Sequence, residues 1–250
     1  MSRTSTSSKI GDFRVESYGS GEPTMMAIGG LAYAPSDFSR MADYVEGTLH
    51  VIDQPIHVGS VKRMEGWQRW LRTEYARIFR TLGAEYLIGH SCGSFDGAHI
   101  ANNLPSLKGL VMLTPPYGKA GMSDRSRCED FGLLDRCLAS LCDDMPDDLY
   151  RSMLAEHDDE YGLRIKDIYR HEIPKGESVV RDVIQLMRES RSPILVLLGS
   201  QDPWNNGAEP PAEGEHISVQ RMTSGHYPHV TQPEATTQYV HNWLRSHTTP

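Results

Sequence analysis

The chain has 250 residues, of which 38% are apolar and 23% are charged, and this is long enough for one globular α/β domain with an insertion. The 33 acidic and 25 basic residues give a formal net charge of −8, and no long Lys/Arg cluster offers a footprint for nucleic acid. No apolar run has the length of a membrane span, and the polar first residues lack the apolar centre of a secretory signal peptide. We therefore expect a cytoplasmic protein without nucleic-acid or membrane partners.

The four cysteines give no sign of a metal site or of a disulfide framework. Cys92, Cys128, Cys137 and Cys142 lack the spacing of zinc ligands, and reduced thiols are the simplest interpretation. The Ser/Thr-rich residues 2–8 are expected to form a short frayed leader.

Short apolar runs recur along the chain, and their apolar residues are successive rather than alternating. This pattern is typical of strands covered on both faces, as in a parallel sheet. The runs are Met25–Ile28, Val51–Ile52, Tyr86–Ile88, Leu110–Leu113 and Ile194–Leu198. A sixth segment, Phe13–Tyr18, alternates more and is expected as an antiparallel edge strand.

Helical patterns lie between these runs. Residues 67–82 place apolar side chains at a spacing of three to four, which predicts an amphipathic helix that ends before Gly83. The last helix is expected from about Pro233, since proline suits the first turn. The alternation of strands and helices predicts a doubly wound, mostly parallel α/β sheet.

Residues 117–190 interrupt this alternation, because they contain almost no strand-like run. We expect a helical insertion here that covers one end of the sheet. Its predicted helices are 128–142, 146–158, 160–171 and 177–189. The predicted core domain then consists of residues 1–116 and 191–250.

The segment Gly89-His-Ser-Cys-Gly93 matches the pattern G-x-S-x-G. It follows an apolar strand and precedes a helix-like run, and this setting favours a serine nucleophile on a sharp strand-to-helix turn. Glycines on both sides allow the neighbouring backbone to approach closely. The alternative is that Ser91 only caps the following helix.

A serine hydroxyl is a weak nucleophile, and it needs a base that is itself oriented by a third group. For this turn the expected chain order is serine, acid, histidine. Asp202 follows the strand that ends at Leu198, which places it on a loop at the carboxyl end of the sheet. The alternative for Asp202 is an Asx-type turn before Pro203.

Two histidines compete for the role of base, because Gly225-His-Tyr-Pro-His229 contains both His226 and His229. We favour His226, which directly follows the glycine. A zinc pair formed by the two histidines is a further alternative, but no third ligand has a convincing spacing, and we expect no metal.

At these residues the chain resembles the α/β-hydrolase superfamily, and the resemblance covers nearly its whole length. The segments that support it are Gly19–Pro23, Gly29–Leu31, Thr81–Gly83, Gly89–Gly93, Gly199–Asp202 and Gly225–Glu234. The resemblance implies the α/β-hydrolase fold, with residues 117–190 as a helical cap over the active site.

The resemblance also implies the roles of individual residues. Ser91 would be the nucleophile, His226 the general base and acid, and Asp202 the group that orients the imidazole. The backbone N–H groups of Leu31 and Cys92 would form the oxyanion hole. No cofactor is implied.

Three features depart from the family pattern. Gly29-Gly30 replaces a frequent His-Gly, so the oxyanion donor at Leu31 could be shifted by one residue. The loop Asp53–Ser60 keeps Asp, His and Ser but loses the glycines of the usual motif, and Ser94 replaces a second glycine after the elbow. None of these departures removes a member of the triad.

Within this superfamily, a serine favours acyl transfer to water, whereas members that open epoxides or cleave carbon–halogen bonds use aspartate. We therefore expect a small to medium, partly apolar ester, thioester or lactone as substrate. Tyr33 and Trp204 could line the pocket mouth or be ordinary packing residues. The alternatives are a C–C bond hydrolase or lyase with the same triad, and a ligand-binding protein without turnover.

Several other residues have simpler interpretations. Cys92 is expected to pack behind the elbow rather than to act as a redox thiol, and His90 to be a packed neighbour. His57 is expected to stabilise its loop. Asp96 is expected to be solvated or to cap a helix, and an approach to the triad is the alternative. The acidic cluster 143–148 lacks the ligand pattern of a calcium loop.

Overall fold

The computed structural model describes residues 5–30, 35–53, 67–116, 176–202, 205 and 214–247, and structural statements below refer to these residues. The strands are Ser5–Ile10 (β1), Phe13–Gly19 (β2), Thr24–Ile28 (β3), Thr48–Ile52 (β4), Tyr86–His90 (β5), Gly109–Leu113 (β6), Ile194–Gly199 (β7) and Ile217–Met222 (β8). The α-helices are Ser39–Ala42 (α1), Trp67–Leu82 (α2), Cys92–Ala101 (α3), Gly176–Glu189 (α4), Pro228–Thr231 (α5) and Pro233–His247 (α6), and a 3₁₀ turn spans Pro35–Phe38.

The strands of the described residues form one sheet in the order β1-β2-β4-β3-β5-β6-β7-β8. All neighbours from β4 to β8 are parallel, whereas β2 is antiparallel to both β1 and β4. The direction of the strand order changes between β3 and β5. Loops diverge at such a point, and ligands of doubly wound sheets bind there, at the carboxyl ends of the strands.

Both faces of the sheet are covered, as the successive apolar residues predict. Met26 and Ile28 of β3 pack in the layer that holds α2, α3 and α4. Met25 and Ala27 of the same strand pack in the opposite layer, with α1 and α6. The doubly wound, mostly parallel α/β architecture predicted from the sequence is confirmed.

The edge of the sheet differs from the prediction. Phe13–Gly19 has neighbours on both sides, because Ser5–Ile10 pairs with it as an additional antiparallel strand. The segment expected as a frayed leader is therefore largely this edge strand. Its side chains are mostly exposed, so it has no buried apolar face from which the strand could have been predicted.

The last helix predicted for the insertion, 177–189, is present as α4 at Gly176–Glu189. Its Val183 and Met187 are fully buried in the same layer as α3, so this helix packs with the core. Residues 117–175, with the other three predicted helices and the acidic cluster, lie outside the described residues, and the cap stays a prediction there.

No helix within the described ranges combines the length and the hydropathy that crossing a bilayer requires.

Candidate active site

Ser91 lies on the turn between β5 and α3, in a backbone conformation that L-residues rarely adopt, with φ 51° and ψ −125°. Its backbone N–H donates to the Leu113 carbonyl of the neighbouring strand at 2.9 Å, which fixes the turn to β6. Ser91 occupies the N-cap position of α3, but its hydroxyl makes no capping hydrogen bond. The capping alternative is therefore not what the structure shows.

Gly93 of the motif and Gly30, which lies just after β3, are required by close packing around this turn. A Cβ on Gly93 would lie 2.3 Å from the Gly29 carbonyl oxygen, and a Cβ on Gly30 would lie 2.7 Å from the Cβ of Ser91. The end of β3 thus touches the turn directly. Ser94, which departs from the family pattern, is fully buried and donates its hydroxyl to the Gly89 carbonyl at 2.8 Å.

The structure brings the three predicted polar side chains together. His226 Nε2 lies 3.0 Å from Ser91 Oγ, and His226 Nδ1 lies 2.9 Å from Asp202 Oδ2. All three residues are buried, with 5% exposure for Ser91, 2% for His226 and none for Asp202. A buried imidazole between a hydroxyl and a carboxylate can accept a proton from one and be oriented by the other.

Each of these side chains lies on a loop at the carboxyl end of a strand. Ser91 follows β5, Asp202 follows β7 and His226 follows β8. Since these strands are parallel members of one sheet, residues up to 135 positions apart meet at the same edge.

Asn205 is a site residue that the sequence did not reveal. Its side chain is buried, and its Nδ2 donates to Asp202 Oδ2 at 2.7 Å, the same oxygen that faces His226. An asparagine in a loop is ordinarily a turn former. Only its position three residues after the predicted acid could have suggested this contact.

His229, the competing histidine, is also fully buried, but it does not bond to the serine. Its ring lies 4.4 Å from the His90 ring and 4.6 Å from the Phe38 ring. Neither ring nitrogen has a hydrogen-bond partner among the described residues. Burial, and to a lesser degree the nearby His226, lower the pKa of His229 to about 3, so it is neutral at neutral pH.

His90 is a packed neighbour, as predicted, since its ring also lies 5.1 Å from the His226 ring. In addition its Nε2 donates to the backbone carbonyl of His226 at 2.9 Å. Burial, followed by the proximity of His229 and His226, lowers the pKa of His90 well below its ordinary value. The ring is therefore neutral, with its proton on Nε2.

Asp96 corrects a prediction, because it is neither solvated nor a cap. Its carboxylate accepts from Arg72 Nε at 2.7 Å, and this ion pair joins α3 to α2. Burial raises the pKa of Asp96, and the Arg72 charge partly offsets that rise.

Cys92 is the first residue of α3, and its side chain is half-buried. Leu31, Tyr33, Trp204 and His57 lie outside the described residues, so their predicted roles stay predictions. Among the described residues, no three His, Cys, Asp or Glu side chains are grouped closely enough to hold a metal ion.

No protein-family model and no curated protein sequence matches this chain. Solved structures do match it. The N-acyl homoserine lactonase AidH, complexed with N-butanoyl homoserine, is 17% identical with a TM-score of 0.70, covering 99% of this chain and 98% of that one. The haloalkane dehalogenase DbeA from Bradyrhizobium elkani is 14% identical with a TM-score of 0.67, covering 98% of each chain.

A third match is an α/β-hydrolase enzyme from the metagenome of lagoon sediments at Mar Chica, Morocco. It is 16% identical with a TM-score of 0.63, covering 98% of this chain and all of that one. At such identities a match over the full length establishes the fold alone. The resemblance seen in the sequence is confirmed at that level: this chain has the α/β-hydrolase fold.

Proposed function

We propose that the protein is a serine hydrolase that cleaves a small to medium acyl substrate through an acyl-enzyme. The observation that supports this most is the continuous chain of hydrogen-bond distances from Ser91 Oγ through His226 to Asp202, at 3.0 and 2.9 Å. The strained backbone of Ser91 adds to it, since such conformations persist where function requires them.

In the first half of the reaction, Ser91 Oγ attacks the acyl carbon while His226 Nε2 takes the hydroxyl proton. The resulting imidazolium is stabilised by Asp202, which accepts the hydrogen bond from Nδ1. His226 then returns the proton to the departing oxygen or sulfur, the bond from carbon to the leaving group breaks, and the acyl group stays on Ser91.

In the second half, water attacks the acyl-enzyme. His226 Nε2 takes a proton from the water as the new bond to carbon forms, and it returns that proton to Ser91 Oγ as the ester bond breaks. The products are the carboxylic acid and the free enzyme.

The negative charge that develops on the acyl oxygen needs donors close to Ser91. We assign this role to the backbone N–H of Cys92, at the first position of α3, and to that of Leu31. The amino end of a ten-residue helix adds a favourable partial positive charge at this position. Loss of a single oxyanion donor typically costs about 3 kcal/mol of transition-state stabilisation.

The substrate class follows from the nucleophile. Members of this superfamily that cleave carbon–halogen bonds use an aspartate, whereas this chain has Ser91, so the similarity to a haloalkane dehalogenase does not extend to its reaction. Esters, thioesters and lactones are electrophiles that a serine can attack. The similarity to a lactonase places lactones among the substrates to be tested first.

The function is tested with p-nitrophenyl esters of rising acyl length, lactones and thioesters, each run beside Ser91→Ala. We expect turnover of at least one class by the wild type and a loss of at least about 10³-fold in Ser91→Ala. Equal rates for the two proteins would reject Ser91 as the nucleophile.

The two alternatives give different results when candidate diketones are added to this panel and the products are analysed. A C–C bond hydrolase would cleave candidate diketones faster than simple esters. A ligand-binding protein would bind compounds of the panel tightly, with neither a burst of product nor a covalent adduct on Ser91.

A further inference from the structure

The backbone carbonyl of His226 receives two side-chain hydrogen bonds from buried residues. Thr114 Oγ1 donates to it at 2.7 Å, and His90 Nε2 donates to it at 2.9 Å. Thr114 is fully buried, and His90 and His226 are each 2% exposed. A carbonyl oxygen has two lone pairs, so these two donors satisfy it completely.

Thr114 makes its bond from a costly backbone conformation. It follows β6 directly and has φ 43°, and among the described residues Ser91 and Thr114 are the only non-glycine residues with positive φ. A β-branched residue in this region is a genuine outlier. Its N–H donates to the Leu197 carbonyl at 2.8 Å, so the strained residue is held between β6 and β7 while its hydroxyl reaches His226.

His90 makes its bond from the other side of the site. It is the last residue of β5 and immediately precedes Ser91. Its ring contacts both the His226 and the His229 rings, which fix its orientation. Because its proton lies on Nε2, Nδ1 is the lone-pair nitrogen, and that atom has no hydrogen-bond partner within the described part of the chain.

The two bonds connect loops that are distant in the chain. His226 lies between β8 and α5, 135 positions after Ser91, and no strand pairing fixes its height above the sheet. The Thr114 and His90 bonds fix the backbone of His226 to β6 and to the strand that ends at the nucleophile. The distance between Nε2 and Oγ therefore depends on these two donors.

We propose that Thr114 and His90 are positioning residues that hold His226 at hydrogen-bonding distance from Ser91. This role rests on the proposed hydrolase function, because it is the transfer of the Ser91 proton that needs the fixed distance. Neither residue has to touch the substrate. Removal of either donor leaves binding unchanged and allows the imidazole to move away from the hydroxyl.

The test compares Thr114→Val, which keeps the shape and the β-branch but loses the hydroxyl, with Thr114→Ser, which keeps the hydroxyl. We expect Thr114→Val to lower kcat by about threefold to tenfold with KM unchanged, the effect of one lost hydrogen bond on the reacting geometry. Thr114→Ser should retain wild-type kcat. Thr237→Val, a buried threonine of α6 that bonds only to backbone oxygens, is the matched control and should retain it as well.

His90 provides a second, independent pair in case Thr114→Val does not fold. His90→Phe keeps an aromatic ring without a donor, and His90→Gln keeps a donor near the position of Nε2. His90→Phe should lower kcat by about the same factor as Thr114→Val, and His90→Gln should retain at least part of the wild-type kcat.

A readout without turnover separates this proposal from the proposed function. The proton on His226 Nδ1, held against Asp202, gives a low-field proton resonance in NMR spectra that is assigned by its loss in Asp202→Asn. We expect Thr114→Val and His90→Phe to shift or broaden this resonance, while Thr114→Ser and Thr237→Val leave it unchanged. A protein without hydrolase activity can still show this pattern, which would support the positioning role alone. Folded Thr114→Val and His90→Phe proteins with wild-type resonances and wild-type kcat would overturn it.

Discussion

Asp202 shows how a single oxygen atom connects two parts of the site. Its Oδ2 lies 2.9 Å from His226 Nδ1 and 2.7 Å from Asn205 Nδ2. A buried carboxylate needs hydrogen-bond donors to remain ionised, and each donor also restricts its orientation. Asn205 thus stabilises the rotamer from which Asp202 can orient the imidazole.

We predict that Asn205→Ala lowers kcat about tenfold with little change in KM. The variant removes a buried hydrogen bond to a charged group, which is worth about 1.5–3 kcal/mol, and part of that loss appears in the transition state. Steady-state kinetics on the best substrate of the panel measure the effect. Asn103→Ala is the matched control, since Asn103 lies just after α3 and its exposed side chain donates to the backbone carbonyl of His99 rather than to a carboxylate. Identical kcat values for both variants and the wild type would contradict the role of Asn205.

At the scale of elements, the position of α3 decides whether the hydroxyl of Ser91 can reach His226. The helix begins immediately after Ser91, and its first turn touches the end of β3 through Gly93. Any side chain at this position meets backbone atoms rather than a flexible side chain. The helix would then have to shift as a body, and the turn at Ser91 would shift with it.

Two glycines of α3 provide a matched comparison. A Cβ on Gly93 would lie 2.3 Å from the Gly29 carbonyl oxygen, whereas a Cβ on Gly97 would lie 2.9 Å from Leu110 Cδ1, a side-chain atom that can move. We predict that Gly93→Ala lowers the free energy of unfolding by at least about 3 kcal/mol. Gly97→Ala should stay within about 1 kcal/mol of the wild type, because alanine favours the helix. Urea unfolding measures both, and equal losses would contradict the packing described here.

The ion pair between Arg72 and Asp96 joins α2 to α3 and is the second determinant of the position of α3. We predict that Arg72→Ala lowers the free energy of unfolding by about 2 kcal/mol at pH 8, between the values typical of exposed and buried pairs. Burial raises the pKa of Asp96 in the folded state, and removal of Arg72 raises it further. In the folded variant, Asp96 therefore binds a proton more readily than it does in the unfolded chain, so the stability of the variant rises as the pH falls. The loss of unfolding free energy caused by Arg72→Ala should then be smaller at pH 5 than at pH 8.

The control for this prediction lies on the same helix. Arg77 pairs with Glu74 at 2.7 Å, but the arginine side chain is 45% exposed. Arg77→Ala should therefore cost less than about 0.5 kcal/mol at either pH. A loss in Arg72→Ala that did not depend on pH would show that the packing of the arginine, rather than its charge, stabilises α3.

The sequence predicts the elements best where burial leaves a pattern. The continuous apolar runs predict β3, β5, β6 and β7, and proline predicts the start of α6 at Pro233. β1 was not predicted, because backbone pairing to β2 holds it in place and its side chains are exposed and rich in Ser and Thr. The pairing of Asp96 with Arg72 was not predicted either, since a contact between two helices depends on the angle at which they cross.

At the scale of the whole molecule, buried neutral histidines make stability sensitive to acid. The folded-state pKa of His229 is about 3, below its ordinary value of 6.5, and that of His90 is also lowered. Below about pH 6.5 the unfolded chain binds protons that the folded chain does not. The free energy of unfolding therefore falls as the pH decreases from about 6.5 toward 3.

We predict that His229→Phe weakens this dependence. The stability that the wild type loses between pH 7 and pH 5 should be smaller in the variant by about 2 kcal/mol, the value that follows from 1.36 kcal/mol per pKa unit. Phenylalanine suits the site because the ring lies between Phe38 and His90. Urea unfolding at the two pH values measures the difference. The exposed His247→Phe serves as the control, and equal pH dependence in His229→Phe and the wild type would contradict the neutral buried state.

The sequence locates the polar groups of the site but not the residues that support them. Ser91 and His226 can be predicted because glycines mark the sharp turns on which they lie. No sequence pattern identifies Thr114 or Asn205. Each acquires its role only because the parallel strands bring its loop to the same edge of the sheet as Ser91 and His226.

Covalent labelling most directly tests the proposed role of Ser91 as an activated nucleophile. A fluorophosphonate probe reacts with a serine whose proton is taken by a neighbouring base, and it needs no knowledge of the substrate. We predict that the wild type is labelled at Ser91, that Ser91→Ala is not labelled, and that His226→Ala is labelled far more slowly. An unlabelled wild type, or equal labelling of the wild type and Ser91→Ala, would contradict the account.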